Sequence, residues 1–278
     1  MAARTNSDER TAKRVLVVGS INVDLYHDTP GSIKLGGEPC DVTPVKGMTL
    51  PAASFKEKLG LTCETGAEEA LVLSMDGPFE QKTGGKGANA AAAAGQSFAC
   101  EFIGNLGAAS HAENQLLLAD LDKFGSVETA RGAVLPDCPT GTAYILLFPD
   151  GDNAIVLLGG ANQRWPPAEQ LCAPGGKLSA ALAEAVCVML QREVPPHVNV
   201  AVAAAARQCG VPVVMDVGGT DAPIDPELMP HVGGHFCTGT RRVGLMAGGH
   251  PFVAGTSRSS PRTRPSSPSP PESRPETR

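Results

Sequence analysis

Short apolar runs recur along the chain, each stopped by glycine or by polar residues. The first is Arg14-Val15-Leu16-Val17-Val18-Gly19. Its aliphatic, largely β-branched residues show no polar alternation, which predicts a strand buried on both faces of a parallel sheet. Cys100 to Ile103, ended by Gly104, predicts a second such strand, and Ala185 to Leu190 and Val211 to Val217 predict two more. Val198 to Cys209 reads as a helix between the last two, so this part of the chain is a right-handed βαβ unit. Ala90 to Ala94 are strong helix formers. Ala112 to Lys123 places Leu116, Leu117, Leu118 and Leu121 on a helical stripe that Gly125 closes. Pro166 to Ala185 predicts helical material broken by Pro174-Gly175-Gly176. Thr142 to Phe148 and Asn153 to Leu158 flank Pro149-Asp150-Gly151-Asp152, and this apolar–turn–apolar order predicts a β-hairpin.

The pattern dissolves from Thr29 to Lys82, where eight prolines and glycines between Pro30 and Pro51 break any long helix. A lid of irregular strands, with Val42 to Val45 among them and a short helix over Ala67 to Met75, fits better than a core layer. Periodicity is lost again beyond residue 232. Gly233 to Gly255 is rich in small and basic residues, and Thr256 to Arg278 contains only Ser, Pro, Arg, Thr and Glu, a composition that cannot bury apolar surface. The expected organisation is a flexible segment over 1–13 and an α/β domain over 14–232, with its lid at about 25–82 and 142–158. An irregular, then disordered, tail over 233–278 completes it.

Composition narrows the function classes. With 278 residues, 42% of them hydrophobic, the chain can bury a core as one large domain or a domain plus a lid. A net charge of −6, one Trp and two Tyr argue against general nucleic-acid binding. The eight cysteines contain no C-x-x-C pair and lie scattered through apolar segments, which suits buried thiols in a reducing compartment better than a zinc site or disulfide scaffold. No apolar run approaches a membrane span. Met1 to Arg14 carries Asp8 and Glu9 and has no apolar core, so it is not read as a secretory signal, while its arginines leave an organellar transit segment open.

The candidate chemistry centres on Thr83-Gly84-Gly85-Lys86-Gly87-Ala88-Asn89. Glycine loses the most backbone entropy on ordering, so three in four positions suit a loop passing close to a ligand. Lys86 and Asn89 would then stand near a helix N-terminus, where donors and the macrodipole converge. A plain glycine-rich turn before a surface helix is the competing reading. The segment is not a P-loop, because Gly87 follows Lys86, and not a dinucleotide fingerprint, because Phe79 to Thr83 is mostly polar and supplies no apolar strand. Asn22 and Asp24 follow the first predicted strand, two apart, so both side chains could reach one ligand; alternatively they satisfy turn backbone. Glu193 and Asp216 lie at the ends of the last two strands. Four polar groups at one edge of a parallel sheet make a site more credible than any one of them alone.

Gly19-Ser20-Ile21-Asn22-Val23-Asp24, Gly84 to Asn89, the hairpin leading into Gly159-Gly160-Ala161-Asn162, and Leu190-Gln191-Arg192-Glu193 together resemble the ribokinase branch of the PfkB-type sugar kinase family. Gly210 to Gly219 looks closest to plant and algal members, and the resemblance covers roughly residues 14 to 232. It implies a ribokinase-like three-layer α/β/α sandwich with a mostly parallel central sheet and a small β lid, C-terminally truncated. It further implies ATP-dependent phosphorylation of D-ribose to D-ribose 5-phosphate, with Mg2+ and a monovalent cation such as K+. By the same resemblance the sugar would be held by Asn22, Asp24, Gly85, Lys86, Gly87, Asn89 and Glu193. The small-molecule sugar is the expected partner, without nucleic acid or membrane, with a homodimer through the lid and a cytoplasmic location (plastid as the alternative).

The family's N-x-x-E segment and its G-A-G-D motif, which carries the general base, have no counterpart in the sequence. The Gly-Asp pair present is Gly151-Asp152, in the hairpin turn. The resemblance therefore assigns no catalytic, nucleotide-binding or metal-ligating residue. It leaves a second reading, a non-catalytic ribose-binding or interaction protein.

Overall fold

The computed structural model describes residues 13–27, 33–35, 38–40, 49–51, 73–74, 80–108, 111–123, 126–148, 151–218 and 223–236. In chain order the elements begin with β1 (Arg14–Val18), β2 (Asn22–His27), β3 (Ile33–Leu35), β4 (Glu38–Cys40), β5 (Thr49–Pro51), β6 (Leu73–Ser74) and β7 (Glu80–Gly84). Helix α1 (Lys86–Gly95), β8 (Cys100–Ile103), β9 (Asn105–Leu106), α2 (His111–Asp122), β10 (Val127–Glu128) and β11 (Ala133–Val134) come next. The hairpin strands are β12 (Gly141–Leu147) and β13 (Asn153–Leu158), trailed by a 3-10 turn at Gly160–Gln163. The remainder is α3 (Ala168–Leu171), α4 (Lys177–Glu184), β14 (Ala185–Gln191), α5 (Pro196–Gln208), β15 (Val213–Asp216), a 3-10 turn at Met229–His231, and β16 (Gly234–Phe236).

The central sheet runs β10-β8-β1-β14-β15-β16, every pair parallel. Successive strand residues face opposite sides, so a strand covered on both sides must be apolar throughout, which is why the predicted runs show no alternation. Leu16, Val18, Val188, Leu190, Val213 and Met215 pack on one side against Leu178 and Leu182 of α4 and Val198 and Val202 of α5. Val15, Val17, Cys100 and Phe102 pack on the other against Ala88 and Ala91 of α1 and Leu117 and Leu121 of α2. This is the α/β/α layering of a ribokinase-like fold. Truncating Leu16, fully buried at the centre, would cost about 2–5 kcal/mol through lost transfer energy and the cavity left behind.

A second sheet, β5-β13-β12-β2-β7, forms the lid. The β12–β13 hairpin pairs antiparallel from Thr142 opposite Leu158 to Leu147 opposite Asn153. Strand β2 pairs with β12 in parallel and with β7 antiparallel. The chain thus leaves the core sheet at Val18 and enters the lid at Asn22, and those three intervening residues are the hinge of the site. A separate antiparallel sheet orders β4-β3-β6, and β9 pairs with β11.

Several expectations are revised. The polar segment before the glycine loop is itself a strand, β7, whose Glu80, Gln81 and Lys82 are exposed; a lid edge tolerates the polarity that a core strand would not. Leu73–Ser74, expected near the end of a helix, is strand β6. The rest of that helix, and the strand expected at 42–45, lie outside the described residues. Gly234–Phe236 adds an edge strand where no periodicity is legible. Leu116 turns outward at 46% exposure, since three consecutive leucines cannot all share one helical face. Of the described cysteines, Cys100 and Cys138 are buried but Cys209 is exposed, and all five are free thiols. No helix among the described residues is long and apolar enough to cross a membrane.

Candidate functional site

The site assembles where the core and lid sheets meet. Beyond β1, the Gly19 N–H still bonds the Ile103 carbonyl at 3.0 Å, and then Ser20 turns the chain away. The glycine loop crosses this turn. A Cβ on Gly87 would fall 2.6 Å from both N and O of Ser20; one on Gly85, whose φ is +90°, would fall 2.9 Å from Cα of Ile21. These glycines therefore exist for the approach of one backbone to another within the chain.

The amides at the start of α1 are likewise already taken. The Lys86 N–H donates to Oε2 of Glu193 at 2.9 Å, Gly87 N–H to Oγ of Ser20 at 3.3 Å, and Ala88 N–H to the Ser20 carbonyl at 2.9 Å. Glu193 and Ser20 occupy the positive helix terminus, so it is not an open anion cradle. Ser20 Oγ–H in turn donates to the same Glu193 oxygen at 2.6 Å. With Oε2 fixed by two donors, Glu193 offers its other oxygen to the site.

Asp24 lies beside this carboxylate. Its Oδ1 is buried and has no hydrogen-bond partner. Gly84, paired with Asn22 across β2 and β7, leaves room for it, since a Cβ there would sit 2.0 Å from the Asp24 Cγ. Burial first, and then the negative charge of Glu193, push the Asp24 carboxyl up from 3.8 to about 7. Lys86 Nζ reaches Oδ2 of Asp216 at 3.1 Å, and Asp216 Oδ1 accepts the Gly218 N–H at 2.8 Å. Asn22 is 5% exposed, with Oδ1 bonded to Nδ2 of Asn162 at 2.7 Å.

The structure thus brings Asn22, Asp24, Gly85, Lys86, Gly87 and Glu193 to one junction. Asn89 stands exposed on the first turn of α1, where its N–H continues the helix to the Gly85 carbonyl at 2.9 Å. Three supporting residues were not singled out from the sequence, and Asp216, named there as a strand-end polar group, joins them. Ser20 joins the loop to Glu193; Asn162 holds Asn22; Gln191 takes the Ser20 N–H at 3.3 Å and donates to the Val18 carbonyl at 2.7 Å; and Asp216 pairs with Lys86. One signal could have found Gln191, a polar residue closing an apolar run, which is the pattern that marks Asp216.

Acceptor carboxylates beside amide and ammonium donors suit a polyhydroxylated ligand, whose hydroxyls both give and accept hydrogen bonds. Among the described residues no group of three or more His, Cys, Asp or Glu side chains could hold a metal ion.

Comparison with known proteins places the fold that carries this junction. The pattern of the pfkB family of carbohydrate kinases matches residues 65–233. Ribokinase of Arabidopsis thaliana is 32% identical over 224 residues, which cover 80% of this chain and 48% of that protein, so the chain spans about half the length of this curated relative. The structure of Arabidopsis thaliana ribokinase complexed with ribose and ATP is similar, with a TM-score of 0.54 and 30% identity over 80% of this chain and 58% of the other. Ribokinase from Giardia lamblia, at 20% identity, shares the fold with a TM-score of 0.55 over 81% of this chain and 58% of its own.

Proposed function

The chain belongs to the pfkB family of carbohydrate kinases, and on that premise we propose that it takes D-ribose as phosphoryl acceptor and ATP as donor, forming D-ribose 5-phosphate. The observation that carries the sugar half of this reading is the buried, unpartnered Oδ1 of Asp24 beside Glu193. A buried acceptor without a donor costs free energy that a ligand hydroxyl would recover. The relative at 32% identity is a ribokinase, and ribose is the sugar in the similar Arabidopsis complex.

In this reading the domain is residues 14–232, with the lid at 25–82 and 142–158. Asp24 and Glu193 accept from sugar hydroxyls, Asn22, Lys86 and Asn89 donate, and Gly85 and Gly87 hold the loop against the Ser20 turn. ATP with Mg2+ would supply the phosphoryl group. The contribution of the residues named here is to orient the acceptor sugar and, through the lid, to exclude water from it.

A second reading, a protein that binds ribose without transferring phosphate, is favoured by one observation. No G-A-G-D motif occurs in the sequence, and the Gly151-Asp152 pair is exposed in the β12–β13 turn. Calorimetry with D-ribose and a coupled assay of ADP separate the two. Binding with ribose-dependent ADP release supports the kinase; binding without it supports the second reading. No binding of D-ribose would overturn both.

A further inference from the structure

The side-chain amide of Asn162 is enclosed by the backbone it bonds. Its Oδ1 accepts the Ile21 N–H at 3.0 Å, and its Nδ2 donates to the Ile21 carbonyl at 3.0 Å. Turning the amide over would set donor against donor and acceptor against acceptor, so the Ile21 backbone decides which end is nitrogen. The second Nδ2 hydrogen goes to Oδ1 of Asn22. The residue is 2% exposed, and Trp165 Nε1 holds its main-chain carbonyl at 2.9 Å. Gly141 leaves the space this requires, since a Cβ there would lie 2.0 Å from Nδ2 of Asn162 and 2.5 Å from Oδ1 of Asn22.

We propose that Asn162 is a positioning residue that fixes Asn22 as a hydrogen-bond donor toward the sugar, beside the Asp24 carboxylate that accepts from it. The inference rests on the ribose-binding reading above. With Oδ1 of Asn22 taken by Asn162, Nδ2 is the group that Asn22 can offer. Asp24 follows two residues later on the same side of β2, with its own Oδ1 unpartnered. A donor next to an acceptor matches neighbouring sugar hydroxyls arranged head to tail; two acceptors side by side would leave one sugar oxygen facing another lone pair. The hydrogen-bond direction is therefore set at the Ile21 backbone and relayed through Asn162 and Asn22 to the ligand.

The test uses the full chain, labelled with 15N, and calorimetry with D-ribose. Without sugar, both side-chain hydrogens of Asn162 exchange slowly with solvent, while those of Asn22 exchange faster than Asn162's and slow further when D-ribose is added. In Asn162→Asp the new carboxylate cannot donate, so Asn22 turns its Nδ2 toward it and presents Oδ1 beside Asp24. Affinity for D-ribose then falls roughly thirtyfold, in the range of one lost hydrogen bond to a polar ligand plus an acceptor clash. Asn22→Asp falls by a similar factor, and the double variant is at most about threefold weaker than the worse single one, because both changes break the same relay. Fully additive losses, or Asn22 hydrogens as protected as those of Asn162 in the absence of sugar, overturn the proposal. If Asn162→Asp does not fold, the exchange pattern of the native chain still decides. Failure of the native chain to bind D-ribose overturns the ribose reading, while the exchange pattern reports on the Asn22 orientation by itself.

Discussion

The amino end of the central sheet and the lid strand beyond its carboxyl end both bury carboxylates, and they treat them oppositely. At the amino end Glu101 is 1% exposed and is met by Arg131, whose Nη1 lies 2.6 Å from Oε2, with Arg14 at 3.9 Å. Arg131 also pairs with Glu184 at 3.0 Å, and Arg14 with Glu128. Burial raises the Glu101 carboxyl, and the two guanidinium groups pull it back. Beyond the carboxyl end Asp24 is raised by burial with no cation opposing it, and Glu193 pushes the same way. A desolvated carboxylate surrounded by arginines is a structural pin; one left without a donor is held ready for something that arrives later.

The largest effect that would break this comparison lies at the pin. Arg131→Met should lower unfolding stability in a denaturant titration by about 2–3 kcal/mol, because it strands Glu101. The value sits below the full cost of breaking a buried pair, since the Arg131 side chain is 27% exposed. D-ribose affinity should not change. A loss of sugar binding there would mean that the two ends are coupled.

Asp24→Asn reverses the pattern. Its neutral amide keeps the shape but loses the anion, so D-ribose affinity should drop roughly thirtyfold by calorimetry. Stability at pH 8 should stay level or rise by up to about 1 kcal/mol, since a buried charge without a partner has been removed. Strong destabilisation would place Asp24 among the pins.

A smaller effect, spread over pH, sharpens the same distinction. The folded chain holds the Asp24 proton up to about 7, whereas the unfolded chain releases it near 3.8. The folded state thus binds more protons in that window, so this contribution to stability is full below about pH 4 and is lost as pH rises through about 7. Sugar hydroxyls favour the carboxylate, so binding releases the proton. Affinity should fall as pH drops below 7, by up to about tenfold per unit, and level off above it. Asp24→Asn should flatten that profile, and equal proton release in native and variant chains, measured in two buffers of different ionisation enthalpy, would sink the assignment. Smallest of all is the exposed Lys123–Asp120 pair: Lys123→Ala should cost under about 0.5 kcal/mol in the same titration, as surface ion pairs do.

The core was largely legible along the chain. Strands β1 and β14 lie where uninterrupted apolar runs predict them, β8 lies where a run broken by Glu101 does, and α4 begins after Pro174-Gly175-Gly176, where the helical pattern resumes. Burial on both faces leaves no alternative composition for such strands. The lid was legible only as a change of texture. Its edge strand β7 is polar because it is exposed, which removes the signal by which strands are recognised. Within the site, Asp24, Lys86 and Glu193 stood out as polar groups after strands and glycines. Ser20, Gln191 and Asn162 did not, because a buried polar residue is explained only by the partner it meets.

The sequence by itself determined the α/β class, the strand–helix order and the kinds of group gathered at the strand ends, all of which follow from propensities and burial acting over a few residues. Only the tertiary structure decided how those groups are used. Asn162 meets Asn22 across 140 positions, Glu193 meets Ser20 across 173, and Lys86 meets Asp216 across 130. Whether a carboxylate is paired or left waiting, and which end of an amide faces the ligand, depend on the three residues through which the chain crosses from one sheet into the other. Hydrogen bonding reaches only about 3 Å, so those outcomes exist only once that crossing has been made.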